Sequence, residues 1–237
     1  MLFALWSPKG GTGTSVFAAA CSLLAARVGP VRLVDLGGDQ PAVLGLAADP
    51  SAGLDDWLGV GPEAPSDALE RLALDVAPNL TLLPRGGAGS VLAPVPGAEA
   101  GAALAVALRD GPGVTIADVG TAATPAARAL LEVSDVAIMV VRGCYLALRR
   151  AVAAPGLAVT AGVVLVDEPG RSLGSRDVAD VLGRPVVARV PLRSAVARAV
   201  DAGVLASRLP DAIGRPAREV LRAVGLETGA QPRGAAA

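Results

Sequence analysis

The sequence predicts a three-layer α/β/α fold built on a mostly parallel, twisted sheet. Short apolar segments recur along the chain, and each is followed by a longer segment with helical periodicity. This alternation is typical of βαβ units, in which helices connect parallel strands and cover both faces of the sheet. The apolar segments carry few charges, as expected for strands buried on both faces. We expect one domain over residues 1–227 and a disordered tail over 228–237, which has no periodicity.

The strands follow from these apolar runs and the helices from the periodic segments between them. The predicted strands are Leu2 to Trp6, Val31 to Asp35, Leu80 to Leu83, Val114 to Asp118, Val136 to Val141, Val159 to Val166 and Pro185 to Val190. The predicted helices are Thr14 to Val28, Thr124 to Val133, Leu146 to Ala153, Ser175 to Leu182, Ser194 to Ala202 and Arg215 to Val224. Gly59 to Pro65 and Pro84 to Gly97 are rich in Gly and Pro, which predicts surface loops. The last helix lacks a basic face and bulky aromatic residues, so we expect it to pack on the core rather than anchor to a membrane.

The composition excludes several kinds of catalytic and metal site. The 237 residues include no histidine and two cysteines, Cys21 and Cys144, which rules out Ser-His-Asp catalysis, His-ligated metals and a four-cysteine zinc site. The charge of −1 gives no overall attraction to nucleic acid. The N-terminus lacks the basic region and cleavage site of a secretory signal, and no segment is long enough for an integral membrane span. We expect a cytoplasmic protein with two buried, reduced cysteines.

The segment after the first strand has the pattern of a phosphate-binding loop. Leu2 to Trp6 leads into Ser7-Pro8-Lys9-Gly10-Gly11-Thr12-Gly13-Thr14-Ser15 and then into a helix. Glycines allow consecutive backbone N–H groups to face one anion, the helix N-terminus adds its positive dipole end, and Ser15 offers a hydroxyl to Mg²⁺. The alternative is an ordinary strand-to-helix turn with Ser15 as the N-terminal cap. Lys9 is the only lysine, because the other 20 of the 21 Lys and Arg residues are arginine.

These residues resemble the ParA/MinD ATPases. KGGTGTS resembles their deviant Walker A loop, KGGxGK[ST]; LVDLGGDQPAVLGL resembles the segment with the first switch, and VTIADVGT resembles the Walker B strand. DVAIMVVRGCYLALRRA and ARVPLRSAVARAVDAGVL resemble the later strands and the base-side loop, so the resemblance covers nearly the whole chain. It implies a P-loop NTPase of the SIMIBI class that binds ATP or ADP with Mg²⁺ and works as a homodimer with an activator or cargo adaptor.

The resemblance also implies a role for each site residue. Phosphates would be bound by Lys9, Gly10, Gly11, Thr12, Gly13, Thr14 and Ser15, and Mg²⁺ by Ser15 and Asp118. Lys9 would reach the phosphates of the partner subunit, and Asp35 would belong to the first switch. For Asp118 the alternative is a turn aspartate that caps the next helix.

The sequence departs from the family pattern at three positions. Thr14 replaces the lysine that contacts the phosphates within the same subunit, and losing one charge-assisted hydrogen bond weakens binding or catalysis by about 10- to 150-fold. Gly37 replaces the second aspartate of the first switch, for which Asp39 is the nearest substitute. No Asn follows the strand that ends at Val166, which leaves backbone contacts near Pro191 to hold a purine.

These departures leave three functions open. The first is a nucleotide-dependent dimer switch with weak or absent hydrolysis that positions a cargo such as a chromosome or the division, pilus or flagellar machinery. The second is a pseudo-ATPase scaffold that binds no nucleotide. The third is an active ATPase in which Lys9 serves the phosphates in place of the missing lysine.

Two groups of arginines could contact DNA phosphates without sequence specificity. One comprises Arg142, Arg149 and Arg150, and the other comprises Arg189, Arg193 and Arg198. The near-neutral charge favours the alternative that these residues lie on solvated helix faces.

Overall fold

The computed structural model describes residues 1–65, 67–87, 95–111 and 113–226. Within these ranges the strands are β1 (Leu2–Trp6), β2 (Val31–Asp35), β3 (Leu74–Ala77), β4 (Leu80–Leu83), β5 (Val114–Asp118), β6 (Val136–Arg142), β7 (Thr160–Asp167) and β8 (Val186–Pro191). The helices are α1 (Thr14–Ala25), α2 (Gln40–Leu44), α3 (Leu54–Val60), α4 (Asp67–Leu72), α5 (Ala98–Asp110), α6 (Pro125–Val133), α7 (Tyr145–Ala153), α8 (Ser175–Leu182), α9 (Ser194–Asp201) and α10 (Asp211–Ala223), with a 3-10 turn at Pro155–Leu157.

In the described residues the strands form one eight-stranded sheet in the order β3-β4-β2-β5-β1-β6-β7-β8. All neighbours are parallel except β3, which pairs antiparallel with β4 at the edge. Central strand β1 lies between β5 and β6, so the loop that follows β1 emerges at the middle of the sheet's carboxyl edge. Ligands of open α/β sheets bind at this edge.

Helices cover both faces of the sheet, which confirms the predicted three-layer fold. In β1, Phe3 and Leu5 pack with α1, α2, α9 and α10, whereas Leu2, Ala4 and Trp6 pack with α3 to α8. The alternation follows from the two-residue period of a strand and explains why the strands are apolar at every position.

Several predicted boundaries are wrong, and five elements were not predicted. Helix α1 ends at Ala25 rather than Val28, and α10 begins at Asp211 rather than Arg215, because Pro216 lies inside this helix instead of in its first turn. Five further predicted elements are off by one residue: β6, α7 and α9 at one end, and β7 and β8 at both ends. Thr124 is not in α6 but caps it, accepting a hydrogen bond from the Ala127 N–H at 3.1 Å. Strand β3 and helices α2 to α5 were not predicted, and α3 includes Gly59, which the sequence places in a loop.

The C-terminal helix packs on the core as predicted. Val220 and Leu221 of α10 are fully buried in the cluster that contains α1. No helix in the described ranges has the length and apolarity needed to cross a bilayer. The predicted tail, 228–237, and residues 88–94 of the predicted Pro84 to Gly97 loop lie outside the described residues.

Candidate functional site

A cleft of about 1430 Å³ opens at the carboxyl edge of the sheet beside the loop after β1. Its lining includes Ser7, residues 9–16, the segment after β2, the turn after β5, Arg142 and Leu192. The strand order brings these segments together, since β2, β5, β1 and β6 are consecutive in the sheet. The sequence-predicted phosphate loop, residues 7–15, therefore forms one wall of the cleft.

The backbone of the phosphate loop presents unpaired N–H donors. Gly11 and Gly13 have φ values of 76° and 88°, a conformation that glycine adopts without steric cost, and α1 begins directly after Gly13. Within the described part of the chain, the N–H groups of residues 10–16 have no protein acceptor. A Cβ atom at Gly10, Gly11 or Gly13 would meet nothing within 4 Å, so the space beside the loop is open. Unpaired donors at a helix N-terminus fit an anion.

Side-chain hydroxyls are hydrogen bonded to one another inside the loop. Thr12 donates to the Ser7 hydroxyl at 2.8 Å, and the Thr12 and Thr14 hydroxyls lie 3.0 Å apart. Ser7 in turn donates to the Lys9 carbonyl at 2.8 Å. Ser7, Thr12 and Thr14 are all buried. Thr14 therefore contributes a hydroxyl contact within the loop and no charge, whereas the ParA/MinD pattern has a lysine at this position.

Two buried carboxylates lie next to each other at the ends of adjacent strands. Asp35 ends β2 and Asp118 ends β5, and the two residues are direct partners in the parallel register. The Asp35 carboxylate accepts from the Gly38 N–H at 2.6 Å and from the Gln40 N–H at 3.0 Å. The Asp118 carboxylate accepts from the Gly120 N–H at 3.1 Å, so this aspartate binds its own turn and does not cap α6.

Burial disfavours the ionised form of both carboxyl groups. Desolvation, with the nearby charge of Asp118, raises the pKa of Asp35 to about 7, although the hydrogen bonds from Gly38 and Gln40 oppose the rise. Desolvation also raises the pKa of Asp118, against hydrogen bonding from Ser15, Gln40 and Gly120. A cation bound beside the pair would favour the ionised forms.

Gln40 connects the carboxylates to the phosphate loop. Its side-chain amide donates to Asp118 Oδ2 at 2.9 Å and to the Ser15 carbonyl at 2.9 Å. Its Oε1 atom is buried and has no hydrogen-bond partner in the described residues. A buried unpaired acceptor is costly, so a hydrogen-bond donor fits this position.

The two positions considered for the second switch aspartate have different environments. A Cβ atom at Gly37 would lie 3.2 Å from Asp118 Oδ2, so a larger residue there would crowd the Asp118 carboxylate. Asp39 is exposed, and the Ser15 hydroxyl lies 3.5 Å from its Oδ2 atom. The structure thus brings Asp39 to the cleft beside Ser15.

The oxygen atoms of this site fit Mg²⁺ bound together with phosphates. The described residues contain no group of three or more Asp, Glu, Cys or His side chains that could hold a metal alone. Mg²⁺ is usually held by one or two carboxylates, water and substrate phosphates. Ser15 and Asp118 would supply the protein oxygens.

Three basic side chains line the cleft, and each has a different environment. Lys9 is partly exposed, and its Nζ donates to the neighbouring Gly10 carbonyl at 3.3 Å. Arg85 pairs with Asp55 at 3.0 Å. Arg142 donates through Nη2 to the Gly11 carbonyl at 2.6 Å, so it belongs to the phosphate loop and not to a surface patch with Arg149 and Arg150.

The end of β8 brings one apolar side chain to the cleft. Pro191 ends β8 beside Asp167, and the next residue, Leu192, lines the cleft, whereas Pro191 itself does not. The Leu192 N–H donates to the Asp167 carbonyl at 2.9 Å. Of the second arginine group, Arg189 pairs with Asp167 at 2.5 Å, and Arg198 donates to Ser194 at 2.9 Å.

No protein-family model matches the chain, and no curated protein matches it. Solved structures do match. A ParA family ATPase from Chlorobium tepidum is 20% identical with a TM-score of 0.76, over 92% of this chain and 97% of that one. The septum site-determining protein MinD from Pyrococcus horikoshii, solved with Mg-ADP, is 20% identical with a TM-score of 0.77, over 94% and 95%. An ATP complex of McdA from Cyanothece is 17% identical with a TM-score of 0.73, over 97% and 98%. The chain has the ParA/MinD fold.

Three residues that form hydrogen bonds with predicted site residues, Ser7, Gln40 and Arg142, were not themselves predicted as site residues. Ser7 lies in the loop itself and contacts Thr12, five residues further along, whereas the contact of Gln40 with Asp118 joins positions 78 residues apart. Arg142 was predicted for a DNA-binding patch, but β6 extends one residue further than expected and places it beside the loop. The sequence does hold one signal for the position of Arg142: the strand β6 ends in a basic residue, and the phosphate loop has Thr14 in place of the family's lysine.

Proposed function

We propose that this chain is a nucleotide-dependent dimer switch of the ParA/MinD type, with weak or absent hydrolysis, that positions a cargo in the cytoplasm. The observation that carries the proposal is the row of unpaired N–H donors at residues 10–16 beside the buried Asp35 and Asp118. Donors for an anion next to acceptors for a cation fit a nucleotide bound with Mg²⁺. Structures of the same fold include MinD with Mg-ADP and McdA with ATP.

Each side of the site has a separate part in binding. The N–H groups of the loop and the α1 N-terminus hold phosphate oxygens, while Leu192 contacts the base. Ser15 and Asp118 hold the metal ion, and Gln40 fixes the Asp118 carboxylate through its amide. Bound Mg²⁺ neutralises phosphate charge.

Lys9 is the residue that we assign to the partner subunit's nucleotide. Its Nζ has only a hydrogen bond to the adjacent Gly10 carbonyl, at 3.3 Å, and no ion pair within the described residues. Lys9 is therefore not committed to a group in its own subunit. Homodimer formation would depend on nucleotide because phosphates provide the contact for this lysine.

Weak hydrolysis follows from two positions. Thr14 places a neutral hydroxyl where a lysine would stabilise charge that develops on the phosphates. Gly37 supplies no carboxylate to orient water, and Asp39 is the remaining candidate at the cleft. The bound state would then last until an activator or cargo adaptor releases it. The cargo would be a chromosome or the division, pilus or flagellar machinery.

DNA contact is a secondary part of the proposal. Arg149 and Arg150 are exposed on α7, where they could bind phosphates nonspecifically. We assign Arg142 to the phosphate loop instead, because its guanidinium donates to the Gly11 carbonyl.

Calorimetry with ATP or ADP and Mg²⁺, together with light scattering, tests the switch. The wild type is expected to bind both nucleotides and to dimerise with ATP. Lys9→Ala is expected to bind nucleotide but to remain monomeric. Arg176→Gln, which changes an exposed arginine on α8, is the matched control and should behave as wild type. Absence of nucleotide binding by the wild type contradicts the proposal.

The hydroxyl contacts inside the loop favour a second candidate, the nucleotide-free scaffold. The Thr12 and Thr14 hydroxyls lie 3.0 Å apart, so these two side chains are paired with each other and need no anion as a partner. A scaffold would form the same oligomer with and without ATP, and light scattering at both conditions separates it from the switch. Nucleotide-induced dimerisation would exclude the scaffold.

A further inference from the structure

We propose that Arg142 supplies the positive charge that the phosphate loop lacks at Thr14, by contacting the nucleotide phosphates within its own subunit. The proposal rests on the proposed function, since it names the phosphate-binding cation of that same site. The cation would come from strand β6, next to β1, rather than from the first turn of α1.

The position of Arg142 follows from the sheet. Trp6, the last residue of β1, pairs with Met139, so β6 continues for three residues beyond β1 and ends at Arg142. At this point the chain after β1 has become the phosphate loop. Arg142 Nη2 donates to the Gly11 carbonyl at 2.6 Å, and Arg142 lines the cleft. The guanidinium therefore lies within hydrogen-bonding distance of the loop that carries the free N–H donors.

In the described residues, no acidic side chain accepts a hydrogen bond from the Arg142 guanidinium. Its Nη1 atom lies 3.9 Å from Glu168 Oε2, whereas Arg171 approaches the same oxygen at 3.0 Å. Glu168 thus has a closer cationic partner. Of the other basic side chains that line the cleft, Arg85 is paired with Asp55, and the Lys9 Nζ donates to the neighbouring Gly10 carbonyl.

Several N–H groups of the Arg142 guanidinium have no hydrogen-bond acceptor among the described residues. Only Nη2 makes a hydrogen bond, and Nε is buried with no partner in the described residues. Arginine offers five donors in a fixed fork that matches phosphate oxygens. A buried unpaired donor beside an anion-binding loop is the arrangement expected of a group that completes its hydrogen bonds when phosphate is present.

Titration calorimetry with Mg-ADP and Mg-ATP tests the assignment in the full chain. Arg142→Gln is expected to lose about 10- to 150-fold in affinity, the value of one charge-assisted hydrogen bond. Arg142→Lys keeps the charge and is expected to lose less than about tenfold. Arg176→Gln, on the exposed face of α8, is the control and should match wild type. Adding Thr14→Lys to Arg142→Gln should restore affinity, because a cation returns to the loop.

The outcomes separate this proposal from the function on which it rests. If the wild type binds no nucleotide, both the proposed switch function and the proposed role of Arg142 are wrong. If the wild type binds and Arg142→Gln binds equally well, only the role of Arg142 is overturned. Equal losses in Arg142→Gln and Arg142→Lys would also overturn it, since the guanidinium would then act by holding Gly11 and not by its charge.

A measurement on the wild type covers the case in which Arg142→Gln does not fold. The arginine Nε–H signals of nitrogen-15-labelled protein are recorded with and without Mg-ADP, and the Arg142 signal is assigned by its loss in Arg142→Lys. We expect this signal to shift and its exchange with water to slow when ADP binds. An unchanged Arg142 signal at saturating ADP overturns the assignment.

Discussion

The nucleotide-free protein should become less stable as pH rises, because Asp35 is buried without a cation. Its pKa is about 7 in the folded chain and 3.8 in the unfolded chain. Between these values the folded state holds more protons than the unfolded state, so the free energy of unfolding falls with pH. The contribution of Asp35 is fully present below about pH 4 and is lost as pH rises through about 7. A difference of about three pKa units corresponds to about 4 kcal/mol, of which about 3 kcal/mol falls between pH 4.5 and 8.

Urea denaturation at pH 4.5, 6 and 8 with a chelator present measures this loss. Asp35→Asn removes the titrating group. Between pH 4.5 and pH 8, the free energy of unfolding of this variant should therefore fall by about 3 kcal/mol less than that of the wild type. The weakened hydrogen bonds to Gly38 and Gln40 add a cost that does not depend on pH. Val34→Ala, at the buried preceding position of β2, is the matched control: it should lower stability equally at every pH. Parallel curves for wild type and Asp35→Asn would refute the reasoning.

Three further predictions concern glycines and the loop. Thr14→Lys should raise the affinity for Mg-ADP by about 10-fold or more, measured by calorimetry; an unchanged affinity would mean that the missing lysine does not limit binding. Gly13→Ala should lower the free energy of unfolding by about 1–2 kcal/mol in urea, since Gly13 has a φ of 88°, whereas Gly10→Ala, at an open position, should cost less than about 1 kcal/mol. Gly101→Ala should destabilise the chain by more than about 1 kcal/mol, because its Cβ would lie 2.3 Å from the Ala126 carbonyl oxygen; a melting temperature equal to wild type would contradict the close packing of α5 on α6.

The sequence predicts the central strands well because their signal is local. Four strands, including Leu2–Trp6 and Val31–Asp35, have the expected bounds, since burial on both faces makes them apolar at every position. Helices α2 to α4 have five to seven residues, too few for a helical period to stand out. Helix α5 is rich in Ala and contains Gly101, so its apolar face contrasts little with its other side.

The site could be predicted where it depends on one continuous segment. The phosphate loop needs glycines in fixed order before a helix, and Gly13 has the left-handed backbone that this order implies. The contacts of Gln40 with Asp118 and of Arg142 with Gly11 join positions 78 and 131 residues apart in the chain. No local pattern encodes these distances, so they follow only from the strand order.

The burial of Asp35 and Asp118 has an energetic consequence that a bound cation would remove. Within the described residues no basic side chain contributes to the pKa of Asp35 or Asp118, so burial raises both values. Near neutral pH these two carboxyl groups must either hold a proton or bear the cost of buried negative charge unless a cation is bound. A bound cation with phosphate removes that cost, and any ligand that binds only the folded state raises stability by RT ln(1 + [L]/Kd). Stabilisation by Mg²⁺ with nucleotide should therefore be larger at pH 8 than at pH 6, which couples occupancy of the site to the stability of the fold.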